Sequence, residues 1–319
     1  MAVLVTGASG FVGGAVVRAL RAQGRAVLAT GRDPVTCAAL GDCLALDLAA
    51  PDAAKALEHV ARQRGISAVV HAAALTAPWG RRAEFQRSNV DATRTVLTLA
   101  KHLGVRRIVH ISTPSVYFRF ADQIGLTEDT PLPTPVNDYT ATKAQAEGSA
   151  LAAGAVILRP RGIYGAGDRA LLPRLVRAIQ SGPLPLLRNG QAATDLTHVD
   201  DVVAAILAAL GGAGVAGQVL NISGGVALPI RDVVAAVSQH LGLIPRWRPL
   251  PLPAVMLAAR GMELEAHVTG SEPRVTRYGV GLFAFTQTLD IQRAARILGW
   301  HPTVSFDEGL RRTFATRQD

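Results

Sequence analysis

The sequence predicts an α/β fold built on a doubly wound parallel sheet, and three observations predict it. Short β-branched runs alternate with amphipathic helical stretches through the first two-thirds of the 319 residues. The runs are apolar on both faces, as buried parallel strands must be. A glycine-spaced turn joins the first run to the first helical stretch.

The strand-like runs cover residues 2–6, 26–30, 67–72, 107–112 and 155–160. Helical periodicity covers 11–23, 52–64, 83–103 and 137–153. Beyond residue 160 the pattern loosens. A helix at 170–181 precedes a proline-rich turn. A further helix–strand pair then occupies 201–210 and 217–223. The stretch 229–286 is punctuated by proline, with helices near 229–242 and 252–266. Helical "DIQRAARILGW" and "SFDEGLRRTFA" close the chain. These patterns predict a sheet domain over 1–165, completed by about 192–225. A smaller interleaved C-terminal lobe, 166–191 with 226–319, would bind substrate.

Composition narrows the class. Hydrophobic residues make up 49% and charged residues 18%, a balance that forms a core, while aromatics at 5% leave that core to Ala, Val and Leu. The net charge of +9 raises nucleic acid as a partner, but no run of four basic residues occurs, and the scattered arginines read as coding bias. No nucleic-acid partner is expected. The first residues enter a strand without a basic-then-apolar leader. The stretch "VVAAILAALGGAGVAG" is too short and glycine-rich to span a bilayer. Cys37 and Cys43 make no disulfide framework and have no His or Cys cluster beside them for a metal, so a reduced, cytoplasmic setting is expected.

Gly7, Gly10 and Gly13 sit between the first strand and the first helix. Such glycines let the backbone approach a pyrophosphate, and the helix N-terminus supplies free N–H groups. An acidic residue at the end of the second strand would bind the ribose of NAD. Here Gly31 stands at that position and Arg32 follows, a pairing that suits the 2′-phosphate of NADP. NADP(H) is therefore favoured, with NAD(H) possible. Asp33 comes one residue later, before a proline, and reads as a turn residue.

Tyr139 and Lys143 lie four residues apart at the start of a helix, hence on one face. An ammonium beside a phenol would lower its pKa and ready it for proton exchange with a carbonyl or alcohol oxygen. Only three lysines occur, Lys55, Lys101 and Lys143, so a chance lysine at this offset is improbable. Upstream, "RIVHISTPSVY" ends in hydroxyl residues where the sheet edge should meet the cofactor.

The stretches "TGASGFVG", "HAAA", "STPSVY", "YTATK" and "RPRGIYGAGD" resemble, in order and spacing, the motifs of the extended short-chain dehydrogenase/reductase superfamily. The resemblance implies a Rossmann fold and residue roles. Tyr139 would be the proton donor and acceptor. Lys143 would bind the nicotinamide ribose. Thr113 would bind the substrate oxygen, with Ser112 as the alternative. Asp47 would contact adenine, and His71, Ala72, Ala73 and Ala74 would line the pyrophosphate and ribose. Asn89 matches a structural asparagine. Pro160, Arg161, Gly162 and Ile163 would pass the nicotinamide amide. Ser9, Phe11, Val12, Leu48 and Ile111 are carried along as cofactor contacts. His71 itself reads as a strand-end residue, and Asp200 and Asp201 as a helix cap.

Two departures bear on the branch. Nucleotide-sugar enzymes of the superfamily carry an asparagine where this chain has Gly162, and an arginine where it has Thr194. The expected pocket residues Trp79, Ser115, Tyr117, Phe118, Tyr164, Leu171 and Leu172 are mostly apolar or aromatic. "PWG", "STPSV" and "LLPRL" resemble the 3β-hydroxysteroid dehydrogenase-like branch, nearest to bacterial 2-alkyl-3-ketoalkanoate reductases. The resemblance implies a homodimer and reversible hydride transfer between NADP(H) and a ketone or secondary alcohol. The substrate would be largely apolar, steroid-like or β-keto-acid-like. The alternative is a nucleotide-sugar epimerase or dehydratase with tightly bound NAD.

Overall fold

The structure is a computed structural model and describes residues 2–315. In chain order, β1 (Ala2–Thr6), α1 (Phe11–Ala22), β2 (Val27–Gly31), α2 (Pro34–Ala39), β3 (Cys43–Ala45), α3 (Ala53–Arg64) and β4 (Ile66–His71) open the fold. A helical run follows: α4 (Arg82–Phe85), a π-helical turn Gln86–Asp91 and α5 (Ala92–His102). Next come β5 (Arg107–Ile111), β6 (Gln123–Leu126), α6 (Asp138–Ala152), β7 (Val156–Pro160), β8 (Ile163–Tyr164), α7 (Leu171–Ser181) and β9 (Leu184–Leu186). β10 (Ala193–Thr194), β11 (Thr197–His198), α8 (Val199–Gly211), β12 (Val219–Ile222), β13 (Leu228–Pro229), α9 (Ile230–His240), β14 (Trp247–Pro249) and α10 (Leu252–Thr269) continue the chain. It closes with α11 (Arg277–Ala284), β15 (Gln287–Leu289), α12 (Gln292–Leu298) and α13 (Phe306–Ala315).

The main sheet has seven strands in the order β12-β7-β5-β4-β1-β2-β3, all parallel. The doubly wound prediction holds. The five early strand runs and the later one at 217–223 all appear, shifted by a residue or two. The seventh strand, β3, has only three residues, with no buried side chain among them, so it carries no apolar run to read. Because β1 lies between β2 and β4, the order in which strands are added reverses there. That switch point is where doubly wound folds bind ligands.

Apolar packing fixes both faces. α1, α8 and α12 cover one face through residues such as Val16, Leu20, Ile206 and Ala294. α3, α5 and α6 cover the other through Leu57, Val96, Leu99 and Ala150. A third core joins α7, α9 and α13 through Leu172, Val176, Val234, Val237 and Leu310. A small sheet, β13-β10-β15-β6, lies within the second half of the chain except for β6. β6 comes from the segment before α6, so strands of that sheet reach outside the expected lobe boundaries. Among the described residues, no helix is long and apolar enough to cross a membrane, and no group of His, Cys, Asp and Glu could hold a metal.

One expectation from composition fails. Cys37 and Cys43 form a disulfide, with Cα atoms 5.1 Å apart. Two cysteines six residues apart make no framework of several bonds, yet one bond closes between them. α2 turns Cys37 back over β3, and Cys37 is buried. The bond ties the loop after Gly31 and Arg32 to the sheet edge. Cross-linking so short a loop stabilises by about 2 kcal/mol. Reduction, or Cys37→Ala, should lower unfolding free energy by about that amount in denaturant melts. Identical melts of the oxidised protein and its thiol-blocked form would contradict the staple.

Candidate active site

The glycine turn is closed by contact. Gly7 has φ +68°, and a Cβ there would lie 2.7 Å from the Ala73 amide nitrogen. A Cβ on Gly13 would lie 2.3 Å from the Gly7 carbonyl oxygen. No other residue fits at these two positions. Gly10 is the N-cap of α1, with no side-chain cap and no acidic residue in the first turn. The first amides of α1 are therefore free to face an anion. Phe11 and Val12 begin the helix, and Phe11 faces Gly167 in the loop after β8. These residues fit a dinucleotide pyrophosphate laid over the β1–β4 crevice.

At the end of β2, a Cβ on Gly31 would lie 2.6 Å from Ser9 Oγ, so the position expected to be acidic in NAD enzymes has little room for a carboxylate. Arg32 is exposed. Asp33 caps α2, accepting from the amides of Val35 and Thr36 at 3.1 Å, as a turn residue should. Asp47 accepts from the Ala49 amide at 3.0 Å and from Arg87 at 2.6 Å, and Leu48 is buried beside it.

His71 links the sheet to the helices. Its ring meets Thr6 Oγ1 at 2.7 Å and Thr93 Oγ1 at 2.9 Å. Burial drives its pKa down to about 3, with the Lys143 charge adding to the effect, so it is neutral. It is a strand-end residue without proton chemistry. Asn89, in the π-helical turn, accepts from the Leu75 amide at 2.7 Å and donates to the Leu75 carbonyl and to Thr142. It thus pins the chain leaving Ala72–Ala74 against α6.

The carboxyl end of β5 meets the start of α6. Asn137 caps α6 through a reciprocal bond with Thr140. Lys143 Nζ donates to the Ile111 carbonyl at 2.7 Å. Burial lowers its pKa to about 8, partly opposed by Glu147 one turn further on. The Tyr139 phenol stands well above its usual value, mainly because of burial and then because of Tyr278, with the neighbouring Thr113 hydroxyl opposing the rise. The expected lowering by Lys143 is not among the influences on the phenol, and the ammonium is bonded to the Ile111 carbonyl. Two of the three Lys143 N–H donors remain.

Ser112 donates to Glu147 at 2.5 Å. Glu147 also receives a bidentate bond from Arg159, with both side chains buried. Arg159 reaches Tyr117, whose hydroxyl donates to Asn221 at 3.1 Å. Ser112 is thus committed to this buried network, and Thr113 is the hydroxyl beside Tyr139. Thr113 in turn donates to Ser115 at 3.0 Å.

Several expected pocket residues are core instead. Tyr117 is 0% exposed inside the Arg159 network. Tyr164 packs between His198 and Phe306, and Phe118 packs edge-on against Tyr278. Their aromatic bulk was read as pocket lining, but it fills the junction between the sheet and the later helices. Leu172 is buried yet borders a hollow with Gly165–Arg169, while Leu171 beside it is half-buried. The Trp79 ring meets His267 of α10 at a tilt of 54°, with centroids 4.6 Å apart. Pro160 ends β7, and Arg161 turns to Thr194 and Gln287. A Cβ on Gly162 would lie 2.7 Å from a Leu196 methyl, and Ile163 begins β8. The N-cap of α8 is His198 rather than Asp200 or Asp201. Asp201 instead accepts from Thr303 and Val304, and Asp200 pairs with Arg312.

Residues 3–223 match the NAD dependent epimerase/dehydratase family. The chain belongs to this family. It is 32% identical to a 2-alkyl-3-oxoalkanoate reductase of Stenotrophomonas maltophilia, with 99% of each chain covered. It is 33% identical to a 4-hydroxy-2-methyl-3-oxo-4-farnesyl-3,4-dihydroquinoline-1-oxide ketoreductase of Stigmatella aurantiaca, over 97% of this chain and 95% of the relative. Among solved structures, MoeE5 in complex with UDP-glucuronic acid and NAD is 30% identical, with a TM-score of 0.76 and coverage of 100% and 99%. The protein is thus an enzyme of an NAD-dependent oxidoreductase family, with ketone reductases among its relatives.

The motif reading missed Glu147, Arg159, Asn221 and Tyr278. Glu147 was findable, as an acidic residue one turn past Lys143 on a helix face of alanines. Tyr278 had no such signal, because it lies in the proline-punctuated stretch 229–286, far in sequence from every motif.

Lys143 supplies a pH test. Its folded pKa is depressed to about 8 from 10.5, so the unfolded chain binds the extra proton between those values. The cost of burying the charge is complete below pH 8 and fades as pH rises towards 10.5. Denaturant melts of the cofactor-free protein should show wild type gaining stability relative to Lys143→Met across that window. A constant difference would contradict a charged, buried Lys143.

Proposed function

We propose that this enzyme reversibly reduces a ketone on a largely apolar substrate, with NADP(H) as cofactor. The observation that carries the reading is the set at the sheet's carboxyl edge, the buried Tyr139 phenol beside the Thr113 hydroxyl, with Lys143 one helical turn on and bonded to the end of β5. Bound NADPH would supply the hydride. Tyr139 gives its proton to the forming alkoxide oxygen. Its raised pKa keeps that proton in place until the oxygen gains charge. Thr113 stands beside the phenol at the end of β5 and links it to Ser115. The two spare donors of Lys143 bind the nicotinamide ribose and steady the phenolate that Tyr139 becomes.

The cofactor rests on the backbone of Gly7–Gly13, with Ser9, Phe11 and Val12 at the helix start. Asp47 and Leu48 flank adenine. Ala72–Ala74 and Pro160–Ile163 line the pyrophosphate and nicotinamide sides. Arg32 takes the 2′-phosphate, a reading supported by the crowded Gly31 position and by Asp33 being committed to its cap.

Two points favour a ketone over a nucleotide sugar. The Gly162 position has no space for the asparagine of nucleotide-sugar enzymes, and Thr194 stands where they carry arginine. Both named relatives are reductases of oxo compounds with alkyl or farnesyl parts. We extend the proposal to a homodimer; the reduced, cytoplasmic setting expected from free cysteines loses its basis with the Cys37–Cys43 disulfide. Leu257, Leu264 and Val268, seven and four residues apart on α10, are exposed and give a second copy an apolar surface to cover.

Ethyl 2-methylacetoacetate serves as a ketone probe. Tyr139→Phe should lower NADPH consumption with it by about 10²–10⁴-fold and leave NADPH binding unchanged. A variant retaining most of the wild-type kcat sinks the scheme. Arg32→Ala should raise KM for NADPH roughly tenfold and spare NADH. An unchanged ratio of the two KM values rules out the 2′-phosphate role.

A further inference from the structure

Tyr278 lies far from the motifs in sequence, on α11. Its ring is buried at 8% exposure and packs edge-on against Phe118, with centroids 5.0 Å apart. One turn on, a Cβ at Gly281 would lie 2.6 Å from the Phe118 ring, so the glycine lets α11 seat this closely. The Tyr278 hydroxyl donates to Ser115 Oγ at 2.7 Å.

Ser115 therefore stands at a crossing. Its Oγ receives Thr113 at 3.0 Å and Tyr278 at 2.7 Å, while its backbone amide donates to Thr113 Oγ1 at 3.2 Å. A hydroxyl oxygen has two lone pairs and one hydrogen. Both lone pairs of Ser115 are filled. Its own hydrogen has no acceptor among the described residues, although the side chain is 9% exposed. Thr113 has spent its single hydrogen on Ser115. The uncommitted donor of the cluster is thus the Ser115 hydrogen, one bond removed from the Thr113 oxygen that meets Tyr139.

We infer that Ser115 is a further catalytic residue that donates a hydrogen bond to the substrate's ketone oxygen, and that Tyr278 is the positioning residue that turns Ser115 to do so. The inference rests on the ketone-reductase reading above and refines which hydrogen reaches the oxygen. Tyr278 holds one Ser115 lone pair and so fixes the rotor. Seating α11 and arming the donor become one event. An oxygen gaining negative charge would then meet the Tyr139 proton and the Ser115 hydrogen together, a two-donor arrangement of the oxyanion-hole kind.

A double-mutant cycle in the full-length enzyme, with NADPH and ethyl 2-methylacetoacetate, tests this. Tyr278→Phe keeps the ring and removes only the hydroxyl. It should lower kcat about tenfold and leave KM for NADPH unchanged. Ser115→Ala should lower kcat at least as much. The double variant should be no worse than Ser115→Ala alone, because Tyr278 acts through Ser115. A Tyr278→Phe enzyme within twofold of wild-type kcat overturns the inference, as do losses that simply add. Should Tyr278→Phe fail to fold, Ser115→Ala alone decides: reduced kcat at unchanged NADPH affinity supports the donor role, and wild-type kcat refutes it. Tyr139→Phe, run in parallel, tests the underlying reading separately, since full activity there would sink that reading whatever Ser115 does.

Discussion

A buried ion pair, Glu147 with Arg159, holds the catalytic edge of this enzyme in one shape. Glu147 belongs to the helix that carries Tyr139 and Lys143, and Arg159 to the neighbouring strand β7. Ser112 at the end of β5 donates to the same carboxylate, and Arg159 passes the contact through Tyr117 to Asn221 on β12. Three strands and one helix are thus locked by one network. Charges this deep are costly unless every partner is present, and losing one partner typically costs about 3–5 kcal/mol. The network gives up stability to gain geometry. It ties α6 to the ends of β5 and β7, beside Thr113.

The cofactor side depends on a different constraint, backbone against backbone. Gly7 and Gly13 leave no room for side chains, so the first turn is pressed onto the residues after β4. That closeness brings free helix amides to the crevice where the strand order reverses. The two halves of the site meet at Lys143. Its ammonium is buried and tied to the end of β5 by one hydrogen bond, which leaves two N–H donors among the described residues. A lysine suits this place because its charge is compact and adjustable, whereas a guanidinium would be planar and always charged.

Most of the sheet was legible because its strands are apolar on both faces and separated by periodic helices. β3 was not, because a short, poorly buried edge strand leaves no pattern. The residues of the proposed site, Tyr139, Lys143 and the glycines, could be singled out because their spacing is local. The pocket was not. Tyr117, Phe118 and Tyr164 look like ligand contacts in a chain poor in aromatics, but folding spends them on the junction between layers. Tyr278 reaches Ser115 across 163 residues, a pairing that no local pattern encodes. The disulfide was missed for a related reason, since the return of α2 over β3 depends on tertiary packing.

The central claim is net hydride transfer to a ketone carbon, and isotope tracing tests it most directly. The enzyme would be incubated with NADPH carrying deuterium at C4 on its transferred face and with ethyl 2-methylacetoacetate, and the product analysed by mass spectrometry and NMR. The account predicts one NADPH consumed per alcohol formed, with deuterium on the carbinol carbon. It would be contradicted if no ketone consumed NADPH while a nucleotide sugar was interconverted with no net change in the cofactor.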